Sequence, residues 1–169
     1  MSYVDHRVPD TNVLGGEEGL GNGRKYALSA LELGRINVAS RAVGVAQAAF
    51  DAAMAYAQER ETFGQPIFKH QAIQFKLAEM ATKLQAARLM TYDAAARADA
   101  GERVDMEAGM AKLFASEAAY EIATDALRIH GGNGYTTEYP VERYFRDTPL
   151  MIIGEGTSEI QKMVIARKL

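Results

Sequence analysis

Close to the C-terminus the chain reads Gly154-Glu155-Gly156-Thr157-Ser158-Glu159-Ile160-Gln161, a carboxylate between two glycines just ahead of a segment with helical patterning. Glycines on both sides let the backbone take unusual angles and let a ligand approach the main chain closely. A carboxylate held in such a place can serve as a general base. Ser158 and Gln161 also have the spacing of a capping box, in which hydroxyl and amide satisfy free N–H groups at a helix start. On these eight residues alone a capping loop, its acid merely favouring the helix N-terminus, is the plainer reading.

Three other segments carry residue types suited to a ligand. Arg60-Glu61-Thr62-Phe63-Gly64 sets a guanidinium and an aromatic ring at a helix end, a pairing that suits a phosphate and an adenine or flavin ring. An ordinary polar helix terminus explains the same residues. Gln71 and Gln74 fall in the first turn of the next helix, where free N–H groups favour anions. Gly131-Gly132-Asn133-Gly134 brings main-chain N–H groups up to a phosphate, or simply ends a helix. Metal chemistry finds little support. His6, His70 and His130 are the only histidines, and none follows a glutamate at the Glu-x-x-His spacing of di-iron bundles. No serine sits in a Gly-x-Ser-x-Gly elbow, and the absence of cysteine excludes disulfides and thiolate chemistry.

The elements that must position these groups are helices. From about Lys25 to Arg60, Leu28, Leu31, Val38, Ala42, Val45, Ala49, Ala52 and Tyr56 recur at three- and four-residue steps. Arg35 lies on that apolar stripe, so it must snorkel out or meet a partner, and by itself the position favours snorkelling. A turn at Phe63-Gly64-Gln65-Pro66 precedes a second helical pattern, His70 to Ala100, with Ile73, Leu77, Met80, Leu84, Ala87 and Ala94 inward. A third runs from Asp105, as N-cap, to His130, carrying Met110, Leu113, Phe114, Ala118, Ile122 and Ile129 inward. A polar, aromatic stretch from Tyr135 to Asp147 leads to Thr148-Pro149, and a last helix occupies Ser158 to Leu169. Ahead of all these, Tyr3 to Pro9 alternates weakly like a strand or extended arm, and Gly15 to Gly23 reads as a linker. Three long helices and a shorter fourth predict an all-α, antiparallel four-helix bundle.

A length of 169 residues with 48% hydrophobic content suits one domain with a real core. A net charge of −3 gives no reason to expect nucleic acid or an anionic membrane surface. The first residues lack a signal-peptide layout, and no apolar run approaches the ~18 residues of a membrane span, so a soluble chain is expected.

The order of the motifs says more than any one of them. Arg60-x-Thr62-Phe63-Gly64 with His70-Gln71, then Gly131-Gly132-Asn133-Gly134-Tyr135-x-x-Glu138-Tyr139-Pro140-Val141-Glu142-Arg143, then Arg146-Asp147, then Glu155 to Gln161, resembles the C-terminal helical domain of the acyl-CoA dehydrogenases. The resemblance runs across nearly the whole chain, and Val8-Pro9 through Gly16 is similar to the strand closing the family's middle β-domain. It divides the chain into residues 1–23, the tail of a β-domain and a linker, and residues 24–169, the helical bundle domain.

The resemblance implies FAD-dependent conversion of an acyl-CoA thioester to its trans-2-enoyl-CoA, as in fatty-acid β-oxidation. Glu155 matches the family base that removes the α-proton, its backbone N–H polarising the thioester carbonyl. Gly156 matches a position on the acyl and thioester path. Thr157 and Glu159 match positions near FAD in the same subunit. Arg60, Thr62, Phe63, Gln71 and the Arg128 to Gly132 loop, with Gly131, match positions reaching FAD held mainly by a neighbouring subunit. Arg35 matches a first-helix arginine near the CoA moiety, with Glu32, Leu33 and Gly34 beside it, which reverses the reading of Arg35 as a snorkelling side chain. Some members carry their base just before this arginine, where Gly34 cannot act. Two departures stand out: Arg128 replaces a frequent glutamine, and Gly154 replaces a common tyrosine.

The implied assembly is a homo-oligomer, dimer or tetramer, passing electrons to electron-transfer flavoprotein, in the cytoplasm or, in a eukaryote, the mitochondrial matrix. The family's N-terminal helical domain and most of its β-domain have no counterpart in these residues, so the isolated chain is expected to be inactive. The rival readings are a non-catalytic helical assembly module, a partner subunit of a split enzyme, and an oxidase passing electrons to oxygen.

Overall fold

The computed structural model describes residues 2–169. They divide into two compact units, one ending at Leu31 and one running from Glu32 to Leu169. In the first, 3-10 turns at Asp10–Asn12 and Gly16–Gly19 replace regular structure. Tyr3 to Pro9, expected as a strand or extended arm, forms no strand. A lone alternating segment has no ladder partner here, and a strand without a partner is not stable.

Helix α1, Gly23–Glu59, is 37 residues long, about 55 Å at the usual helical rise. From Arg35 onward its buried face is mostly alanine: Ala39, Ala42, Ala46, Ala49, Ala53 and Ala57, with Val38 and Tyr56. Val45 and Ala52 lie at the edge of that face, and Leu28 is exposed. A hairpin, β1 (Glu61–Thr62) and β2 (Gln65–Pro66), then joins α1 to α2, Gln71–Asp99. Its two central residues, Phe63 (φ 53°) and Gly64 (φ 79°), both lie in the left-handed region, the signature of a type I′ turn. Glycine tolerates that conformation freely; phenylalanine does not.

Helix α3, Asp105–His130, packs on α2, on α4 (Val141–Ile153) and on α5 (Ser158–Ala166). Its alanine face, Ala111, Ala115, Ala119, Ala123 and Ala126, joins Ile122 and Ile129 in the same core as Leu77, Met80 and Leu84 of α2. Lys76–Asp125 at 2.6 Å and Lys83–Glu121 at 2.7 Å pair α2 with α3 on the outside. Met110 and Leu113 are only half-buried and Phe114 is exposed, so the apolar face read onto α3 is wider than the one its neighbours cover. No helix of the described residues is long and apolar enough to cross a membrane.

The helical class stands, with three departures in detail. The stretch from Tyr135 to Asp147, read as irregular, enters α4 at Val141. Pro149 sits inside that helix and cannot donate to the Phe145 carbonyl. Thr148 Oγ1 does so instead, at 3.1 Å, and Arg146–Glu142 at 2.6 Å braces the exposed side. At α3, Val104 rather than Asp105 is the N-cap, because Glu32 Oε1 accepts the Val104 N–H at 2.8 Å. Asp105 is left to pair with Arg103 and Lys168; burial pushes its carboxyl up, but those two cations outweigh it and hold it below the usual range. At α5 the capping box does not form. Thr157 is the N-cap, Ser158 donates to Glu117 Oε1 at 2.6 Å, and Gln161 turns inward.

Candidate active site

Two clusters emerge, at different heights along α1. The first surrounds Glu155, in the link between α4 and α5. Its φ is +55°, and Gly156 follows at +97°. Left-handed backbone at a non-glycine residue costs about 1–3 kcal/mol and persists only where surroundings enforce it. A Cβ on Gly34 would meet Glu155 Oε2 at 2.5 Å and Cδ at 2.7 Å. The carboxylate therefore lies directly on the bare backbone of α1, in space that only glycine leaves open. Among the described residues the Glu155 carboxylate has no hydrogen-bond or ion-pair partner.

The loop backbone, by contrast, is held tightly. Lys112 of α3, fully buried, donates from Nζ to Ile152 O at 2.7 Å and to Gly156 O at 2.9 Å. Gln161 Nε2 donates to Glu155 O at 3.0 Å and Gly156 O at 2.9 Å. Burial pushes the Lys112 ammonium below the usual lysine range, against the pull of Glu117 and Glu159. Lys112 was missing from the residues singled out by sequence, although it lies on the same stripe as Ala108, Ala115 and Ala119. A lysine on an alanine stripe is the same signal that singled out Arg35.

Arg35 and the three residues grouped with it, Glu32, Leu33 and Gly34, point in different directions, since consecutive helical positions diverge by about 100°. Glu32 is engaged at the start of α3. Leu33 is exposed and lines a 330 Å³ cleft with Ile36, Asn37 and Tyr92. Gly34 lies under Glu155. Arg35 is buried, and its Nε has no hydrogen-bond partner. Such an orphaned donor is costly unless a further group meets it. Thr157 is half-buried, while Glu159 is exposed; its own N–H and the Thr157 hydroxyl hold the Glu159 carboxyl below the usual range.

The second cluster lies where α1, the hairpin and the end of α3 meet. Arg60, Thr62, Gly131 and Gly132 line one cleft of about 270 Å³ with Tyr56, His130 and Asn133. Asn133 Nδ2 donates to the Tyr56 hydroxyl at 2.9 Å, fixing the glycine turn against α1. His70 bonds Thr62 Oγ1 at 3.0 Å and braces the hairpin. The Phe63 ring is 97% exposed, and the Arg60 guanidinium has no carboxylate partner among the described residues. Gln71, also exposed, begins α2 beside this hairpin. Arg128 points to solvent and pairs with Asp125 at 3.5 Å, outside the residues lining the cleft.

His130 stacks on Tyr56 with ring centroids 4.2 Å apart, and its Nδ1–H donates to Ala126 O at 2.8 Å. Burial pushes its pKa below 6.5, only partly offset by that hydrogen bond. The unfolded chain therefore takes up this proton at a pH where the folded chain resists it. This contribution to stability is complete above about pH 6.5 and falls as pH drops below that value. Urea midpoints at pH 7.5 and 5.5 should differ accordingly, and less so in His130→Phe, which keeps the stacked ring; an unchanged difference in the variant would assign the effect elsewhere.

The family model for the C-terminal domain of acyl-CoA dehydrogenases matches residues 21–169. A probable acyl-CoA dehydrogenase of Bacillus subtilis is 54% identical over 165 residues, 98% of this chain and 43% of the relative. The short-chain specific mitochondrial acyl-CoA dehydrogenase of Rattus norvegicus is 51% identical over 169 residues, 100% of this chain and 40% of the relative. Among solved structures, a probable acyl-CoA dehydrogenase from Mycobacterium abscessus superposes with a TM-score of 0.93 at 40% identity, over 99% of this chain and 44% of that one. This chain thus spans 40–43% of the length of these two curated relatives.

Proposed function

Because the chain belongs to the acyl-CoA dehydrogenase family, whose C-terminal domain it matches, we propose that it supplies the base and part of the flavin site of an FAD-dependent acyl-CoA dehydrogenase. The observation that carries this reading is Glu155, a carboxylate without a partner among the described residues, on strained backbone, seated over Gly34. Glu155 takes the α-proton of an acyl thioester. Bound FAD supplies the acceptor for the β-hydride, so that one C–H bond breaks at each carbon and a trans-2-enoyl thioester results. The Glu155 backbone N–H polarises the thioester carbonyl and stabilises the charge that develops there. Gly156, beside the base, stands at the matched position on the acyl path, and the unpartnered Nε of Arg35 among the described residues suits the polar end of the substrate.

The second cluster fits a flavin dinucleotide. An unpaired guanidinium, a glycine-rich turn and a solvent-facing aromatic ring match anionic phosphates beside a flat heteroaromatic system. Gly34 and Arg60 are about 39 Å apart along α1 at the usual helical rise, farther than an extended dinucleotide reaches. Arg60 and Thr157 of one chain therefore cannot hold the same FAD, and a second copy completes each site. On this reading the working form is a homo-oligomer, dimer or tetramer, and we propose electron-transfer flavoprotein as its electron acceptor.

A direct test grafts this chain in place of the matching 43% of the Bacillus subtilis relative. Acyl-CoA thioesters of short, medium and long chain are then scanned for anaerobic loss of flavin absorbance. Absence of flavin reduction by every thioester, with FAD bound, would overturn the reading. In the same graft Arg60→Ala should weaken FAD binding by about 10- to 100-fold, the worth of a hydrogen bond to a charged group. Arg41→Ala, at an exposed position of α1 without an ion pair, should not. Equal FAD retention in the two variants would remove Arg60 from the flavin site.

A further inference from the structure

We propose that Lys112 is a positioning residue for the base: its buried ammonium clamps the α4–α5 link on both sides of Glu155 and so sets where the carboxylate stands. The inference rests on the reading of Glu155 as the base. Its physical starting point is that a lysine is almost never fully buried unless its charge and donors are used. Lys112 is 0% exposed and forms no salt bridge among the described residues. Its donors go instead to two backbone carbonyls.

Those carbonyls are not equivalent. Ile152 O belongs to the last turn of α4, where carbonyls lack helical N–H partners and carry the negative end of the helix dipole. Gly156 O lies beyond the base, just before α5. One ammonium therefore bridges the last turn of α4 and the residue that follows Glu155. Gln161 reaches Glu155 O and Gly156 O from the α5 side. Between these anchors the chain runs with Glu155 at φ +55° and its side chain over Gly34. The clamp touches only backbone and leaves the carboxylate itself free.

The test uses Lys112→Met, which keeps length and apolar volume while removing the ammonium, and Gln161→Met, which removes the second anchor without touching α3. Hydrogen exchange is measured on the 169-residue chain. The probe is the Gly154 N–H, bonded to Leu150 O at 2.8 Å at the end of α4, compared with amides of α2 between Leu77 and Ala94. In Lys112→Met the peptide containing Gly154 should exchange about tenfold faster or more, the scale set by lost hydrogen bonds to a charged donor, while α2 stays unchanged. In the graft, flavin reduction at saturating acyl-CoA should fall about tenfold or more, while the half-saturating concentration changes much less.

Exchange that accelerates equally throughout would assign Lys112 to general stability and overturn the proposal, as would unchanged flavin reduction. If Lys112→Met does not fold, Gln161→Met decides: an unchanged rate there overturns the clamp, and a slowed rate at unchanged half-saturation supports it. The two readings fail separately. Normal flavin reduction by Glu155→Gln removes the base but leaves the exchange result intact. Slow reduction by Glu155→Gln with normal reduction by both anchor variants removes only the positioning role.

Discussion

Glu155→Gln, placed in the grafted enzyme, is expected to slow flavin reduction by acyl-CoA at least ~10²-fold, the low end for a positioned general base. The carboxamide has the shape of the carboxylate and accepts the same left-handed backbone, so the link between α4 and α5 should survive. What it lacks is the ability to take the α-proton. Substrate affinity should change much less, because the Glu155 N–H proposed to meet the thioester carbonyl is untouched. Glu32→Gln is the appropriate companion: Glu32 Oε1 accepts the Val104 N–H, and a carboxamide oxygen does this equally well. Rapid-mixing measurements of flavin absorbance compare the two. Near-normal reduction by Glu155→Gln alongside slow reduction by Glu32→Gln would place the base on the wrong element.

What could be read from the sequence followed from periodicity and from motif order. The three- and four-residue steps that placed α1, α2 and α3 report helical phase, though not how far along each stripe a neighbour covers it, and their ends fell where turn residues interrupt the pattern. Helix α4 was hidden because Pro149 and a run of polar and aromatic residues argue against helix locally. Its signal was the spacing of Val141, Tyr144, Thr148 and Met151, three of them buried. The pairing of Gly34 with Glu155 joins residues far apart in sequence and leaves no local trace beyond a glycine inside a helix. The misread capping box has a related cause: Ser158 and Gln161 have the right types and spacing, but both side chains find better partners in Glu117 and in the carbonyls of the base loop. Lys112 was missed because a single lysine in an alanine-rich helix looks like a solvated one.

Gly34→Ala separates the position of the base from the stability of the helix that supports it. In a helix interior, alanine is favoured over glycine by about 0.8–1.0 kcal/mol, so the change alone should leave α1 as stable or stabilise it. The added Cβ would stand 2.5 Å from Glu155 Oε2 and 2.7 Å from Cδ, closer than such atoms approach. The conflict involves the end of a flexible side chain, so the carboxylate moves and the helix does not. A displacement on the order of 1 Å at a reacting group can cost about 10²-fold in rate. The expected result is a thermal midpoint equal to or above that of the parent, with flavin reduction slowed by about that factor. Substrate affinity is the informative third measurement, because a base pushed into the thioester path would weaken it, whereas one pushed aside would not. A parent-like rate in Gly34→Ala would mean that Glu155 does not work from its place over Gly34, and that the carboxylate reaches substrate from a different rotamer.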